Sequence, residues 1–187
     1  MSKEIRILGI VGSPRRKGNT ELLVNEVLKG AEKVGAISEK VILNELDIAF
    51  CQACNACTNN RKCIQNDDME IVVNKMRKND VWVFGTPIYW WGPSAQFKTF
   101  IDRWYGVESS LFFNKKIILT ISLGASSAHY ARHTLGMFED IIPYRNAELF
   151  ETILALGMGS KGAVKNKPEI LTKARNAGES VIESLNK

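Results

Sequence analysis

Apolar positions in this chain fall into short continuous runs that alternate with stretches of helical spacing. Ile5 to Val11 reads as an apolar run, as expected for a strand buried on both faces. A polar loop follows, from Gly12 to Thr20. Leu22, Leu23, Val27 and Leu28 then recur at helical spacing, predicting a helix that runs to Gly35. Val41 to Leu46 reads as a second strand. Beyond it, Asp67 or Asp68 is placed to cap a helix carrying Met69, Ile71, Val72 and Met76. Val81 to Gly85 is a third buried strand, and Phe97, Phe100, Ile101 and Trp104 share one face of the helix after it. Ile117 to Leu123 is the fourth strand, with a helix through Met137 and Ile141. Leu149 to Leu156 is the fifth, and a closing helix starts at Pro168.

Strand and helix alternate throughout, which implies a parallel sheet with helices on both faces, a three-layer α/β sandwich. Five strands fit the order 2-1-3-4-5, in which ligands bind at the carboxyl ends of the strands, at the switch point between the first and third. The length of 187 residues suits a single domain, 1–187, with a full core.

Composition narrows the function classes. The chain is 45% hydrophobic and 24% charged, a globular balance. No apolar run is long enough to span a bilayer, and no cleavage site follows the first residues, so the expected location is the cytoplasm and no membrane partner is expected. The net charge of +5 is scattered and no nucleic-acid motif accompanies it, so a solvated basic surface is the reading and nucleic acid is not expected as a partner. Such a surface also suits an anionic cofactor or substrate.

The first loop opens the first helix. Ser13, Asn19 and Thr20 offer side-chain donors, and Gly12 and Gly18 permit tight turns, so backbone amides can converge on an anion at the helix N-terminus. Arg15 or Arg16 can pair with a phosphate. Neither a dinucleotide glycine fingerprint nor a Walker loop is present, which points to a monophosphate; an ordinary polar turn is the alternative. The loop after the third strand reads Thr86-Pro87-Ile88-Tyr89-Trp90-Trp91-Gly92-Pro93-Ser94. Three consecutive aromatics cannot all point inward. They suit a flat conjugated ring, a subunit interface, or both.

These two motifs, continued by Ala95-Gln96-Phe97-Lys98 and Phe100-Ile101-Asp102-Arg103, resemble the NADPH-dependent FMN reductase branch of the flavodoxin-like superfamily. The resemblance covers roughly the first two-thirds of the chain. It implies a flavodoxin-like fold, with the FMN phosphate on Ser13, Arg15, Gly18, Asn19 and Thr20. It places the isoalloxazine ring against Pro87, Ile88, Tyr89, Trp90, Trp91 and Gly92, approached by Gly124 from the fourth strand. It also implies a homodimer or homotetramer with the flavin near a subunit boundary.

All four cysteines lie together, at Cys51, Cys54, Cys57 and Cys63. In a reducing compartment such a cluster reads as metal-binding or redox-active. The spacing C-x2-C-x2-C-x5-C, followed by Asp67-Asp68-Met69, resembles the iron–sulfur flavoprotein subgroup of the same superfamily, which implies a [4Fe–4S] cluster beside FMN. Four thiolates on one short loop supply a complete cubane ligand set. Zinc, which prefers separated ligand pairs, ranks lower, and a cluster-free loop of packing or redox thiols is the alternative. The loop leaves the carboxyl end of the second strand, on the flavin edge of the sheet.

His129 and His133 are four apart on a helix, without an evident third ligand. Trp104 and Tyr105 are assigned to the core or an interface. No catalytic residue is assigned. Two functions follow from the resemblance. One is an enzyme that takes hydride from NAD(P)H and reduces a small-molecule acceptor such as a quinone, a free flavin or an aromatic nitro or azo compound. The other is an electron relay between proteins, including a ferredoxin-like partner.

Overall fold

The structure, a computed structural model, describes residues 4–60 and 62–186. Met1 to Lys3, on which the reading of the N-terminus partly rests, and Arg61, within the cysteine segment, lie outside the described residues.

The sheet is built on β1 (Arg6–Val11), β2 (Ile37–Ile42), β3 (Val81–Tyr89), β5 (Lys116–Ser122) and β6 (Glu148–Ala155), with a two-residue strand β4 (Gly92–Pro93) between them in sequence. The order is β2-β1-β3-β5-β6, and every adjacent pair on that path is parallel. This is the expected order of five parallel strands. The addition is β4, which folds back antiparallel on the end of β3.

Alternate residues of the inner strands feed two cores. Ile7, Val11 and Val83 face α1 (Asn19–Lys33) and α6 (Pro168–Glu183). Leu8, Ile10, Trp82 and Phe84 face α3 (Met69–Lys78), α4 (Ala95–Asp102) and α5 (Arg132–Tyr144). Covering both faces is what requires unbroken apolar runs in β1, β3 and β5. Trp104 is buried in the second core, edge-on to Phe100, whereas Tyr105 is exposed.

Helices α1 and α6 touch backbone to backbone. A Cβ on Gly30 would lie 1.9 Å from the Arg175 carbonyl oxygen, and one on Gly178 would lie 1.9 Å from that of Val27. Glu26 of α1 closes the same seam by pairing with Arg175.

Two strand boundaries are corrected. The third strand, expected to end at Gly85, runs on through Tyr89, because Thr86 and Pro87 still pair with Ile121 and Ser122 of β5. The expected second strand, Val41 to Leu46, lies four residues too far along at both ends: β2 ends at Ile42, and Leu43–Glu45 forms a 3-10 turn. β2 is an edge strand whose Ser38, Glu39 and Lys40 are only half-buried. Polar side chains are tolerated there, so the apolar run marks only its end.

Candidate functional site

The loops at the carboxyl ends of β1, β3, β5 and β6 enclose a cleft of about 160 Å³. Its lining includes Ser13, Arg15, Asn19, Thr20, Pro87, Ile88, Tyr89, Ser122, Gly124 and Lys161. Its first wall is the loop between β1 and α1. Gly12 donates to the Gly85 carbonyl at 2.8 Å, and the Gly12 carbonyl accepts from Ser94 Oγ at 2.5 Å. The loop is thereby fixed to both β3 and the start of α4, where Ser94 Oγ also accepts from the Phe97 amide. Ser13 Oγ accepts from the Arg15 amide at 3.2 Å, and Gly18 donates to the Arg15 carbonyl at 3.0 Å, which curls the chain into a tight turn.

Gly18 is the N-cap of α1 and supplies no side-chain cap. The first amides of a helix have no intrahelical acceptor, so those of Asn19 to Glu21 remain for an anion. The hydroxyls of Thr20 and Ser122, both residues of the cleft lining, lie 2.8 Å apart. Of the two arginines in the loop, Arg15 lines the cleft. Arg16 instead turns to carboxylates, 3.1 Å from Glu45 and 3.8 Å from Glu21.

Glu21 is buried. Burial alone would raise its pKa. Hydrogen bonds from Lys40 and the Lys17 amide, together with the charges of Lys40 and Arg16, outweigh that and hold the carboxyl below its usual range. The bond to the Lys17 amide braces the left-handed turn at Lys17, where φ is 54°.

Asn19 lines the cleft, and its side chain also bonds within the protein. Its side-chain nitrogen donates to the carbonyls of Met158 at 3.1 Å and Ser160 at 2.8 Å, and its oxygen accepts from the Val164 amide at 3.1 Å. The side chain thus staples the loop after β6 against the start of α1. That loop brings Met158, Gly159 and Lys161 to the cleft, residues that no motif marked. Among the described residues Lys161 has no ion-pair partner, and no carboxylate lines the cleft.

The aromatic loop divides. Pro87, Ile88 and Tyr89 line the cleft; Trp90, Trp91 and Gly92 do not. They form a hairpin in which Tyr89 pairs with Gly92 and Ile88 with Pro93. Trp90 and Trp91 make the two-residue turn, with φ of 48° and 64°. Asn and Gly are the usual occupants of such a turn. Trp90 is 92% exposed, while Trp91 packs on Tyr130 at 5.9 Å and its carbonyl accepts from Thr134.

The cysteine segment leaves the turn after β2 and returns to α3, with one short helix, α2 (Cys57–Asn60), inside it. Its two ends are closed onto each other. Asp67 accepts from the Ala49 amide, Asp68 from the Asp47 amide, and Gln65 donates to the Phe50 carbonyl. Arg103, just past α4, pairs with Asp67. All four thiols are free. In number and chemistry they suit an iron–sulfur cluster. Among the described residues, however, no three Cys, His, Asp or Glu side chains are gathered tightly enough to hold a metal ion. His129 and His133 are exposed.

The profile of the NADPH-dependent FMN reductase family matches residues 5–159. The chain belongs to that family. Within it, the relatives define an iron–sulfur flavoprotein subgroup to which the chain also belongs. It is 30% identical to an iron–sulfur flavoprotein of Methanocaldococcus jannaschii over 96% of both chains. It is 32% identical to one of Archaeoglobus fulgidus, over 97% of this chain and 80% of that one. The fold agrees with a solved NAD(P)H:quinone oxidoreductase from Methanothermobacter marburgensis at a TM-score of 0.74 and 16% identity, covering 96% of each chain. This FMN reductase family member is thus an FMN-dependent oxidoreductase. Its cleft fits the cofactor's phosphate in two respects: an N-cap without a side chain, and cations without a competing carboxylate. Among the described residues no helix is long and apolar enough to cross a membrane.

Proposed function

We propose that the protein takes electrons from NADH or NADPH onto FMN and delivers them to a small acceptor such as a quinone or a free flavin. The observation that carries the reading is the cleft at the strand ends, with an uncapped helix N-terminus and Arg15 and Lys161 at its rim. When bound, FMN supplies both hydride and single-electron chemistry. The chain's residues hold and shield it. The amides of Asn19 to Glu21 and the side chains of Ser13, Thr20, Arg15 and Lys161 would take the phosphate. Pro87, Ile88 and Tyr89 would offer the ring a stiff, largely apolar wall that keeps water away, with Gly124 opposite. Hydride transfer itself requires no proton from the chain.

Cys51, Cys54, Cys57 and Cys63 would hold a [4Fe–4S] cluster, supported by the four free thiols and by relatives named for such a centre. Free thiols on one loop also favour the reducing cytoplasm. Exposed Tyr105 and Tyr144 flank a groove between α4 and α5 that would suit a second copy of the chain in a homodimer.

The test is to mix anaerobic, FMN-loaded protein with NADH or NADPH and then with a quinone. The expected result is bleaching of the flavin band by the nucleotide and its recovery with the quinone. The cysteine loop supports the second reading, a relay that serves a ferredoxin-like protein. That reading prevails if neither nucleotide bleaches the flavin and a reduced ferredoxin does.

A further inference from the structure

Arg103 is the most heavily committed side chain near the cysteines. Its side chain is 1% exposed. One terminal nitrogen donates to the Ala49 carbonyl at 2.8 Å and to one Asp67 oxygen at 2.5 Å. The other donates to the second Asp67 oxygen at 3.2 Å and to Cys63 Sγ at 3.4 Å. The four N–H groups of the guanidinium tip therefore meet four acceptors, one before the cysteine run, one within it and two after it. The floor beneath Cys63 is Gly106, where a Cβ would lie 2.9 Å from that of Cys63. Among the described residues no hydrogen bond anchors Cys51, Cys54 or Cys57, and Cys54 is exposed. Two left-handed residues, Ala53 at φ 52° and Asn55 at φ 60°, shape the chain between them.

Arg103 directly follows α4, whose N-cap Ser94 bonds the Gly12 carbonyl at the floor of the phosphate loop. Eight residues of one helix thus separate a residue fixed to the cleft from a residue fixed to the cysteines.

We infer that Arg103 is a positioning residue that holds Cys63 as the preset ligand of the cysteine loop and ties that ligand, through α4, to the framework of the FMN cleft. Cys51, Cys54 and Cys57 then close onto Cys63 when iron is delivered. The N–H group on the sulfur also favours the more negative state of any cluster bound there, because hydrogen bonds to sulfur help set its potential. A lysine keeps the charge but cannot span four acceptors.

The inference rests on the cluster reading for its iron measurement and is independent of it for a thiol measurement. Wild type, Arg103→Lys and Arg103→Gln are reconstituted anaerobically with iron and sulfide. Iron, FMN content and the midpoint potential by electron paramagnetic resonance are then measured. The expected result is full FMN content in both variants, reduced iron in Arg103→Gln, and a reduction equilibrium shifted about tenfold toward the oxidised cluster, the scale of one charge-assisted hydrogen bond. Arg103→Lys should recover part of the potential shift without full loading. If Arg103→Gln loses FMN, Arg103→Lys carries the comparison. Wild-type iron content and potential in the variants overturn the inference. If wild type itself binds no iron, the cluster reading fails instead. The positioning role is then read on the metal-free protein from the alkylation rates of Cys63 and Cys54, mapped by mass spectrometry. Replacement of Arg103 should change the Cys63 rate about tenfold relative to Cys54, and an unchanged ratio overturns it.

Discussion

Replacing Asn19 with alanine should loosen the wall of the cofactor cleft formed by the loop after β6, more than a hundred residues away in sequence. The side chain makes three hydrogen bonds to the loop after β6, those with Met158 and Val164 buried. At about 1 kcal/mol each, the loss is about 3 kcal/mol. That corresponds to a fall in Tm of about 6–12 °C for a protein of this size. Two of the bonds, about 2 kcal/mol, hold the segment that carries Met158 and Lys161 to the cleft. If binding must restore that segment's order, FMN affinity should fall about 30-fold. Asn19→Asp provides the control. It keeps the acceptor for Val164, loses both donors and adds a negative charge beside the phosphate position, so FMN should suffer more than riboflavin. The assay is quenching of flavin fluorescence on titration into apoprotein, with thermal unfolding alongside. If Asn19→Ala binds FMN within threefold of wild type and melts at the same temperature, the staple does not shape the cleft.

Arg15→Ala and Lys161→Ala together should weaken FMN about tenfold at low salt, less at high salt, and leave riboflavin nearly unchanged; equal losses for both flavins would remove the phosphate assignment. Trp90→Asn should raise Tm by about 2–4 °C, because asparagine relieves a left-handed turn position worth about 1 kcal/mol; a lower Tm in the variant would refute the strain reasoning. Glu21, held below its usual value of 4.5, contributes stability that is present above that pH and lost as pH falls through its folded value. The stability gap between wild type and Glu21→Gln in chemical denaturation should therefore be open at pH 7 and narrow as the pH falls below 4.5, and a gap constant over that range would contradict it.

What the sequence revealed follows from how locally each feature is encoded. β1, β3 and β5 were visible because strands covered on both faces must be apolar along their length, and the polar loop after β1 was contiguous with them. β2 was shifted because an edge strand carries Ser38, Glu39 and Lys40 without penalty. The hairpin at Trp90 and Trp91 was hidden because its turn lacks the residues that normally announce one. Lys161 and the role of Asn19 were out of reach for a different reason: the partners are 139 to 145 residues apart, and no local pattern records such a pairing. The same holds for Arg103, which in the sequence only ends the motif Phe100-Ile101-Asp102-Arg103 while its bonds reach back to Ala49 and Cys63.

The seam between α1 and α6 bears on how the protein comes into being on the ribosome. Helix α1 emerges early, yet the partner that approaches it at Gly30 is the last helix described. The acceptors for Asn19 arrive only after β6. An incomplete nascent chain therefore carries the phosphate loop without its brace, next to an uncovered apolar helix face. Cofactor capture is deferred until the loop after β6 and α6 have emerged, and a ribosome that stalls before residue 168 releases a chain with an exposed first helix and an unfinished cleft.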